Sequence, residues 1–413
     1  MTERKINRRY FFGTAAGASA ALTGAAMAGA GKPRKAPKAR RAVAANEKIL
    51  MGLIGAGGRG AGVMKIFMNV DPAVEFIATC DVGEKRRLNA ARIAGGKAKA
   101  LVDHRELLDI KEINAVLIAS PTHWHAQHLM DAIAAGKDVY LEKPMSYSIE
   151  QGVEMVKAVR KTDRIVQIGM QRRSSPMVQE ARKLMEDGIL GKVNIVRAQW
   201  FWHRPALDLN AEYDGAIDWE RFLGSAPKRP FQAIRALQWR YFWDYEGGIV
   251  TDQGTHLMDV VQWLTGKGTA RSAVMQGGSY QMNYETPDTF CAALEYEDFT
   301  VSWMGTYTNC FENGWQIVFQ GDRGTMIVND EGVRVYAEPW TNEANQKPYK
   351  EMKGGISADA HVEDFLECLR SRKEPNAPVE VGHTAVSGPH LCNVAYRNKA
   401  VAKLDENCTK VTV

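Results

Sequence analysis

The chain has 413 residues, 45% apolar and 24% charged, a globular composition with length for two domains. Its net charge of +5 is concentrated at the start: residues 1–45 hold ten Lys or Arg against one acid, which leaves −4 for the remainder. A mildly acidic body gives no ground for a nucleic-acid partner, and six scattered cysteines without a CxxC pair or Cys/His cluster give none for a structural metal. Cys80 falls inside an expected buried strand and counts there as a small apolar residue; no disulfide pairing can be assigned.

The first element is a leader. Arg8-Arg9 in Asn7-Arg8-Arg9-Tyr10-Phe11-Phe12-Gly13 opens a Gly/Ala-rich apolar run over 14–31. A basic start followed by a weakly apolar stretch reads as a secretory signal, and the paired arginines mark its twin-arginine branch, a route for folded cargo. The run is poor in Leu, Ile and Val, so no stable membrane span is expected. Residues 32–41 read as a solvated basic tether, and Ala28-Gly29-Ala30 and Ala42-Val43-Ala44 are alternative cleavage points. Residues 1–44 are thus expected to be an export leader and linker, and the remainder of the chain periplasmic or otherwise extracytoplasmic.

Residues 45–170 read as a dinucleotide domain. An apolar strand over 48–54 runs into Gly55-Ala56-Gly57-Gly58-Arg59-Gly60, a GxGxxG motif, and a helix over 61–68 follows. The first glycine makes the turn, the second lets backbone approach a pyrophosphate, the third allows close helix packing, and the helix N-terminus faces the anion. A second strand, 74–80, ends in Asp81, 21 residues past Gly60, where an acid can accept both ribose hydroxyls. Asp81 favours NAD; Lys85, Arg86 and Arg87 leave NADP open. Strands over 115–119, 138–141 and 165–168 alternate with helices over 123–135 and 149–161, a doubly wound sheet. Its strand-end loops bring Ser120, Pro121, His125, Glu142 and Lys143 to the cofactor, beside Gly55, Gly57, Gly58, Arg59, Gly60 and Asp81.

Residues 171–413 read differently. Segments 193–202, 272–280, 289–296, 300–308, 315–320 and 324–328 are rich in β-branched and aromatic residues, and the last five follow one another without helices. Helices over 361–371 and 384–400 are expected to pack back on the first domain.

Two elements carry chemistry. Glu142-Lys143-Pro144 follows a buried strand, and Asp252-Gln253-Gly254-Thr255-His256 follows Glu246-Gly247-Gly248. Asp252, His256 and Asp259 recur at four and three residues, so a continuous helix would put all three on one face. With the glycine fingerprint, this set resembles the Gfo/Idh/MocA family, named for glucose–fructose oxidoreductase and inositol dehydrogenase, across residues 48–400.

The resemblance implies a Rossmann domain followed by an α/β domain with a large, open, mostly antiparallel sheet that binds substrate and makes a homodimer or homotetramer. It implies that Lys143 holds the reacting hydroxyl and the nicotinamide ribose. Asp252 and His256 complete the site, His256 as proton acceptor; Asp252, if its pKa is raised in a closed pocket, is the alternative base. Removing a hydride from a carbinol carbon needs such a base and a cation for the developing alkoxide. Gln171 and Arg172 at a strand end, and Trp202, His203, Arg240 and Tyr241 in an aromatic and basic collection with Trp200 and Trp243, are candidate grips on a sugar. The expected function is an exported NAD(P)-dependent oxidoreductase of a sugar, glycoside or cyclitol hydroxyl, with cofactor tightly bound. The alternatives are an NAD-dependent glycosidase that oxidises its substrate transiently, and a binding module without catalysis, against which the intact Lys143, Asp252 and His256 argue.

Overall fold

The computed structural model describes residues 43–44 and 47–413. All but the last two residues of the expected leader, 1–44, lie outside the described residues.

The continuous apolar runs of the first half fold as strands buried on both faces. They are β1 (Ile49–Ile54), β2 (Val74–Cys80), β3 (Lys99–Leu101), β4 (Ala115–Ile118), β5 (Asp138–Leu141) and β6 (Val166–Ile168), all parallel, in the order β3-β2-β1-β4-β5-β6. The order reverses between β1 and β4, and the crevice beyond their C-terminal ends is where this topology binds ligand. Helices α1 (Gly58–Val70), α2 (Glu84–Ile93), α3 (His104–Leu108), α4 (His125–Ala134) and α5 (Ile149–Val159) make the crossovers.

The second half builds one ten-stranded sheet. Its strands are β7 (Val193–Phe201), β8 (Ser272–Gly278), β9 (Thr289–Glu295), β10 (Thr300–Thr306), β11 (Gly314–Gly321), β12 (Gly324–Asn329), β13 (Gly332–Ala337), β14 (Lys350–Lys353), β15 (Ala402–Leu404) and β16 (Val411–Thr412), in the order β14-β13-β12-β11-β7-β10-β9-β8-β15-β16. β7 and β10 pair parallel and the other neighbours antiparallel. Burial alternates along β9 and β10, so one face is covered and the other is open. The helices of this half are α6 (Pro176–Glu186), α7 (Trp219–Leu223), α8 (Ala233–Leu237), α9 (Gly248–Asp252), α10 (Gly254–Thr265), α11 (Asp359–Ser371) and α12 (Val379–Asn398).

The two C-terminal helices do return to the first domain. Phe365 of α11 meets Phe67 of α1 and Tyr140 of β5 edge-to-face, with centroids 6.0 and 5.7 Å apart. Val43, the penultimate residue of the expected leader, is buried in the same cluster and its N–H reaches Leu369 O at 3.3 Å. One expectation fails: Asp252, His256 and Asp259 do not share a helix. Asp252 ends α9, Gln253 interrupts, and α10 carries His256 and Asp259.

Burial also neutralises histidines. Desolvation holds His123, His361 and His390 at about 4, against the hydrogen bonds they make to Phe222 O, Ile168 O and Ser146 O, which pull upward. The unfolded chain binds protons near pH 6.5 at these positions and the native chain does not until about 4. Stability should therefore fall as pH falls through that window. Urea midpoints measured from about pH 7.5 down to about 5 should decline step by step; a constant midpoint would contradict the burial of these rings.

Candidate active site

The glycine turn after β1 has the shape of a dinucleotide cradle. Gly55 has φ +91°, and a Cβ there would run into the backbone of Ser120. A Cβ on Gly60 would run into Gly55 O, whereas Gly57 and Gly58 face open space at the start of the 13-residue α1. They border a groove of about 1190 Å³ together with Arg59, Lys85, Tyr213 and Trp239. Asp81 lines the adjoining cleft, beside Gly55. Its carboxyl accepts from Ala56 N–H and Gly83 N–H, both at 2.8 Å, and burial pushes it above the ordinary carboxylate range against those bonds and Arg86. A carboxylate has about four acceptor positions, so the ribose diol still finds two. Ser120 and Pro121 wall the adjoining cleft with Val82, Val102 and Trp124. These residues fit a bound dinucleotide.

Two expected cofactor contacts are otherwise engaged. Glu142 Oε1 accepts from Arg59 Nε at 2.8 Å and lies 2.7 Å from Nη2 as an ion pair, so Glu142 orients Arg59 beside the cradle. His125 is buried, with Nδ1 2.7 Å from Pro144 O and Nε2 2.8 Å from Ser120 O. Both ring positions are taken, so His125 ties the two strand-end loops together instead of facing the groove.

The reactive centre is a buried ion pair. Lys143 Nζ donates to Asp252 O at 2.9 Å and Oδ1 at 2.7 Å, and Gln253 Nε2 donates to Oδ2 at 2.9 Å. Burial opposes the charge on Asp252, yet Lys143 and Arg240 hold its carboxyl below the ordinary range, so the expectation of a raised pKa is reversed. The raised carboxyl belongs to Glu246, which sequence reasoning passed over. It is 2% exposed, and its oxygens have no hydrogen-bond partner among the described residues. Burial and then Asp252 push it well up, leaving Asp252 as the charged acid of the pair. His256 is buried behind, its ring 6.2 Å from Trp200, and burial followed by the Arg172, Lys143 and Arg59 charges keeps it neutral far below the usual histidine range.

Lys143 and Asp252 open on a pocket of about 780 Å³, lined also by Trp202, Arg204, Trp239, Arg240, Tyr241 and Tyr307. Trp202, Arg240 and Tyr241 were expected; Arg204, Trp239 and Tyr307 were not. Arg240 lies 3.5 Å from Asp252 Oδ1. His203 is exposed at a backbone bridge to Thr308 and is not among the residues that line the pocket. Arg172 is buried between the rings of Trp200 and Trp315, 5.0 and 4.7 Å from their centroids, and burial pulls its guanidinium down to about 10. Its Nε and Nη1, and Gln171 Oε1 beside it, lack partners among the described residues.

A doubly wound dinucleotide domain, an open second sheet and a Lys–Asp pair between them define a two-domain Rossmann-type oxidoreductase architecture. Residues 49–170 match the "Oxidoreductase family, NAD-binding Rossmann fold" and residues 178–327 the "GFO/IDH/MocA C-terminal domain". The chain belongs to the Gfo/Idh/MocA family. It is 27% identical over 237 residues to levoglucosan dehydrogenase of Pseudarthrobacter phenanthrenivorans, covering 55% of this chain and 54% of that protein. To inositol 2-dehydrogenase 2 of Saccharopolyspora erythraea it is 26% identical over 218 residues, 52% of this chain and 54% of that one. The chain thus spans about half the length of the curated relatives it matches. Its fold is that of the WlbA dehydrogenase of Bordetella pertussis, solved with NADH and UDP-GlcNAcA: TM-score 0.68, 22% identity, 87% of this chain and 99% of that one.

Proposed function

We propose that this protein is an NAD-dependent oxidoreductase that takes a hydride from a CH–OH group of a sugar, glycoside or cyclitol. The observation that carries the reading is the Lys143–Asp252 pair, set where the glycine cradle meets an aromatic-lined pocket. When bound, the nicotinamide supplies the hydride acceptor. The Lys143 charge meets the alkoxide that develops as the hydride leaves, and the neutral His256 takes the hydroxyl proton. Trp202, Trp239, Tyr241 and Tyr307 line the pocket with aromatic surface on which a sugar can pack, and Arg240 brings a second cation to its hydroxyls. The levoglucosan and inositol dehydrogenases among the relatives support this substrate class. A homodimer or homotetramer is part of the reading, supported by Ile195 and Val274, 41% and 44% exposed on sheet strands.

Export by the twin-arginine route belongs to the same proposal, supported by Arg8-Arg9 and the apolar run after them. The burial of Val43 favours Ala28-Gly29-Ala30 over Ala42-Val43-Ala44 as the cleavage point, since cleavage after Ala44 would strip a buried residue from the first domain. An exported enzyme meets little free nucleotide, so NAD(H) should co-purify with it. Mass spectrometry of the nucleotide released from protein recovered outside the cytoplasm should find it near stoichiometric; its absence would contradict tight binding. A glycoside panel on the same preparation tests the reaction. Ketone formed with NADH marks the dehydrogenase, and free aglycone without net NADH marks the redox-cycling glycosidase.

A further inference from the structure

The segment between β7 and α9 belongs to the second domain, yet part of it is stitched to the first. Gly83 and Ile217 form an antiparallel bridge, Glu84 N–H donates to Ala216 O at 2.9 Å, and Asp218 N–H donates to Val82 O at 3.0 Å. Farther along, Phe222 O lies 2.9 Å from both His123 Nε2 and Trp124 Nε1, and Arg221 pairs with Asp103 at 2.9 Å. The segment therefore lies as a strap against residues 82–84, the turn that follows Asp81.

That turn decides which nucleotide fits. Asp81 meets the ribose diol of NAD; the 2′-phosphate of NADP would fall on the residues just after it. Three features could welcome a phosphate there: free N–H groups at the start of α2, the cations Lys85, Arg86 and Arg87, and open space. The strap removes most of them. Gly83 N–H is held by Asp81 itself and Glu84 N–H by Ala216 O. Lys85 is paired with Asp214, Arg86 lies over the Tyr213 ring with its guanidinium carbon 5.3 Å from the centroid, and Arg87 reaches Glu84 at 3.7 Å. The Tyr213 hydroxyl packs so closely on Gly83 that a Cβ there would strike it.

Magnitude separates the roles of these contacts. The Lys85 and Asp214 side chains are 61% and 83% exposed, and such a pair adds little to the stability of a fold. The backbone bridge and the Phe222 contacts fasten the strap; the consequence of Asp214 is charge. It sets a carboxylate in the groove that Lys85 and Arg86 also line, where a phosphate dianion would meet them, and it neutralises Lys85. We propose that Tyr213 and Asp214, carried by the second domain, fix the cofactor as NAD and exclude NADP, by engaging Arg86 and Lys85 and closing the turn after Asp81. The proposal rests on the NAD reading of the first domain and adds a determinant that the glycine fingerprint and Asp81 do not contain.

The test reads bound nucleotide, not turnover. Purified full-length protein is equilibrated with excess equimolar NAD+ and NADP+, freed of unbound nucleotide by gel filtration, and its bound pair quantified by mass spectrometry. Wild type should retain NAD almost alone. Tyr213→Ala/Asp214→Asn should shift the bound ratio about tenfold toward NADP with Asp81 intact, and Asp214→Asn alone about threefold. Asp214 is exposed, so its single variant keeps the test decisive if the double variant does not fold. A ratio unchanged in both, alongside a shift in Asp81→Ala, would overturn the proposal and leave Asp81 as the sole determinant. Wild type that retains neither nucleotide would overturn the NAD reading itself, a different result from an unchanged ratio.

Discussion

Lys143→Ala should lower turnover about 100- to 1000-fold while NAD binding survives. Lys143 leaves the end of β5 toward Asp252, not toward the glycine cradle, and its Nζ bonds are both to that residue. What holds a dinucleotide, namely the turn at Gly55 to Gly60, the start of α1 and Asp81, stays in place. What is lost is the cation facing the reacting oxygen. The variant also leaves Asp252 buried with only Arg240 at 3.5 Å to balance its charge, and breaking a buried pair this way typically costs about 3–5 kcal/mol. A thermal melt must therefore accompany the kinetics. Lys143→Arg separates the two effects: it keeps the charge near Asp252 and should recover stability, but its planar fork cannot place a single donor on one oxygen as the ammonium does, so turnover should stay low. Steady-state rates and NADH fluorescence titration check both variants. Near-normal turnover in Lys143→Ala would remove Lys143 from the reaction, and lost NAD binding would make it a cofactor anchor.

How far the site could be read from sequence depended on how local each signal was. Gly55, Asp81 and Lys143 each sit one or two residues past a buried strand, so a short window contains both the element and the functional residue. The shared helical face for Asp252, His256 and Asp259 failed because the helix breaks at Gln253. Asp252 turns to Lys143 while Asp259 turns to Arg173. Trp202 and Arg204 line the pocket and His203 between them does not, the alternation that neighbours on an extended segment follow. Glu246 gave no such signal. An acid before two glycines looks solvated, and only tertiary packing buries it against the Lys143–Asp252 pair. The strap was likewise illegible, because its contacts with residues 82–84 are backbone bonds spanning well over a hundred positions. β13 and β14 were missed as well, and the helix expected over 384–400 begins earlier, at Val379. Gly382, in the part that was missed, weakens the helical signal there, and packing restores it.

His256→Ala should slow the oxidative half-reaction about 100- to 10,000-fold at neutral pH, the usual contribution of a general base. A base works in its deprotonated form, and a lowered pKa extends that form toward acid. His256 is lowered first by burial, then by the Arg172, Lys143 and Arg59 charges, so wild-type NADH formation should hold level through pH 6.5 and fall only well below it. An acidic limb centred on the ordinary histidine value would count against His256. In the variant the limb should vanish, and the deficit should shrink as pH rises, because hydroxide and water then take the proton. Pre-steady-state NADH absorbance across the pH range reads both features. If the limb persists unchanged, another group is the base. Deleting a buried ring beside Trp200 also leaves a cavity, so His256→Gln is the companion variant. It fills the space and keeps a polar group but cannot take the proton. Equal rate losses in the two variants, with His256→Gln folding normally, would assign the effect to proton transfer rather than to packing.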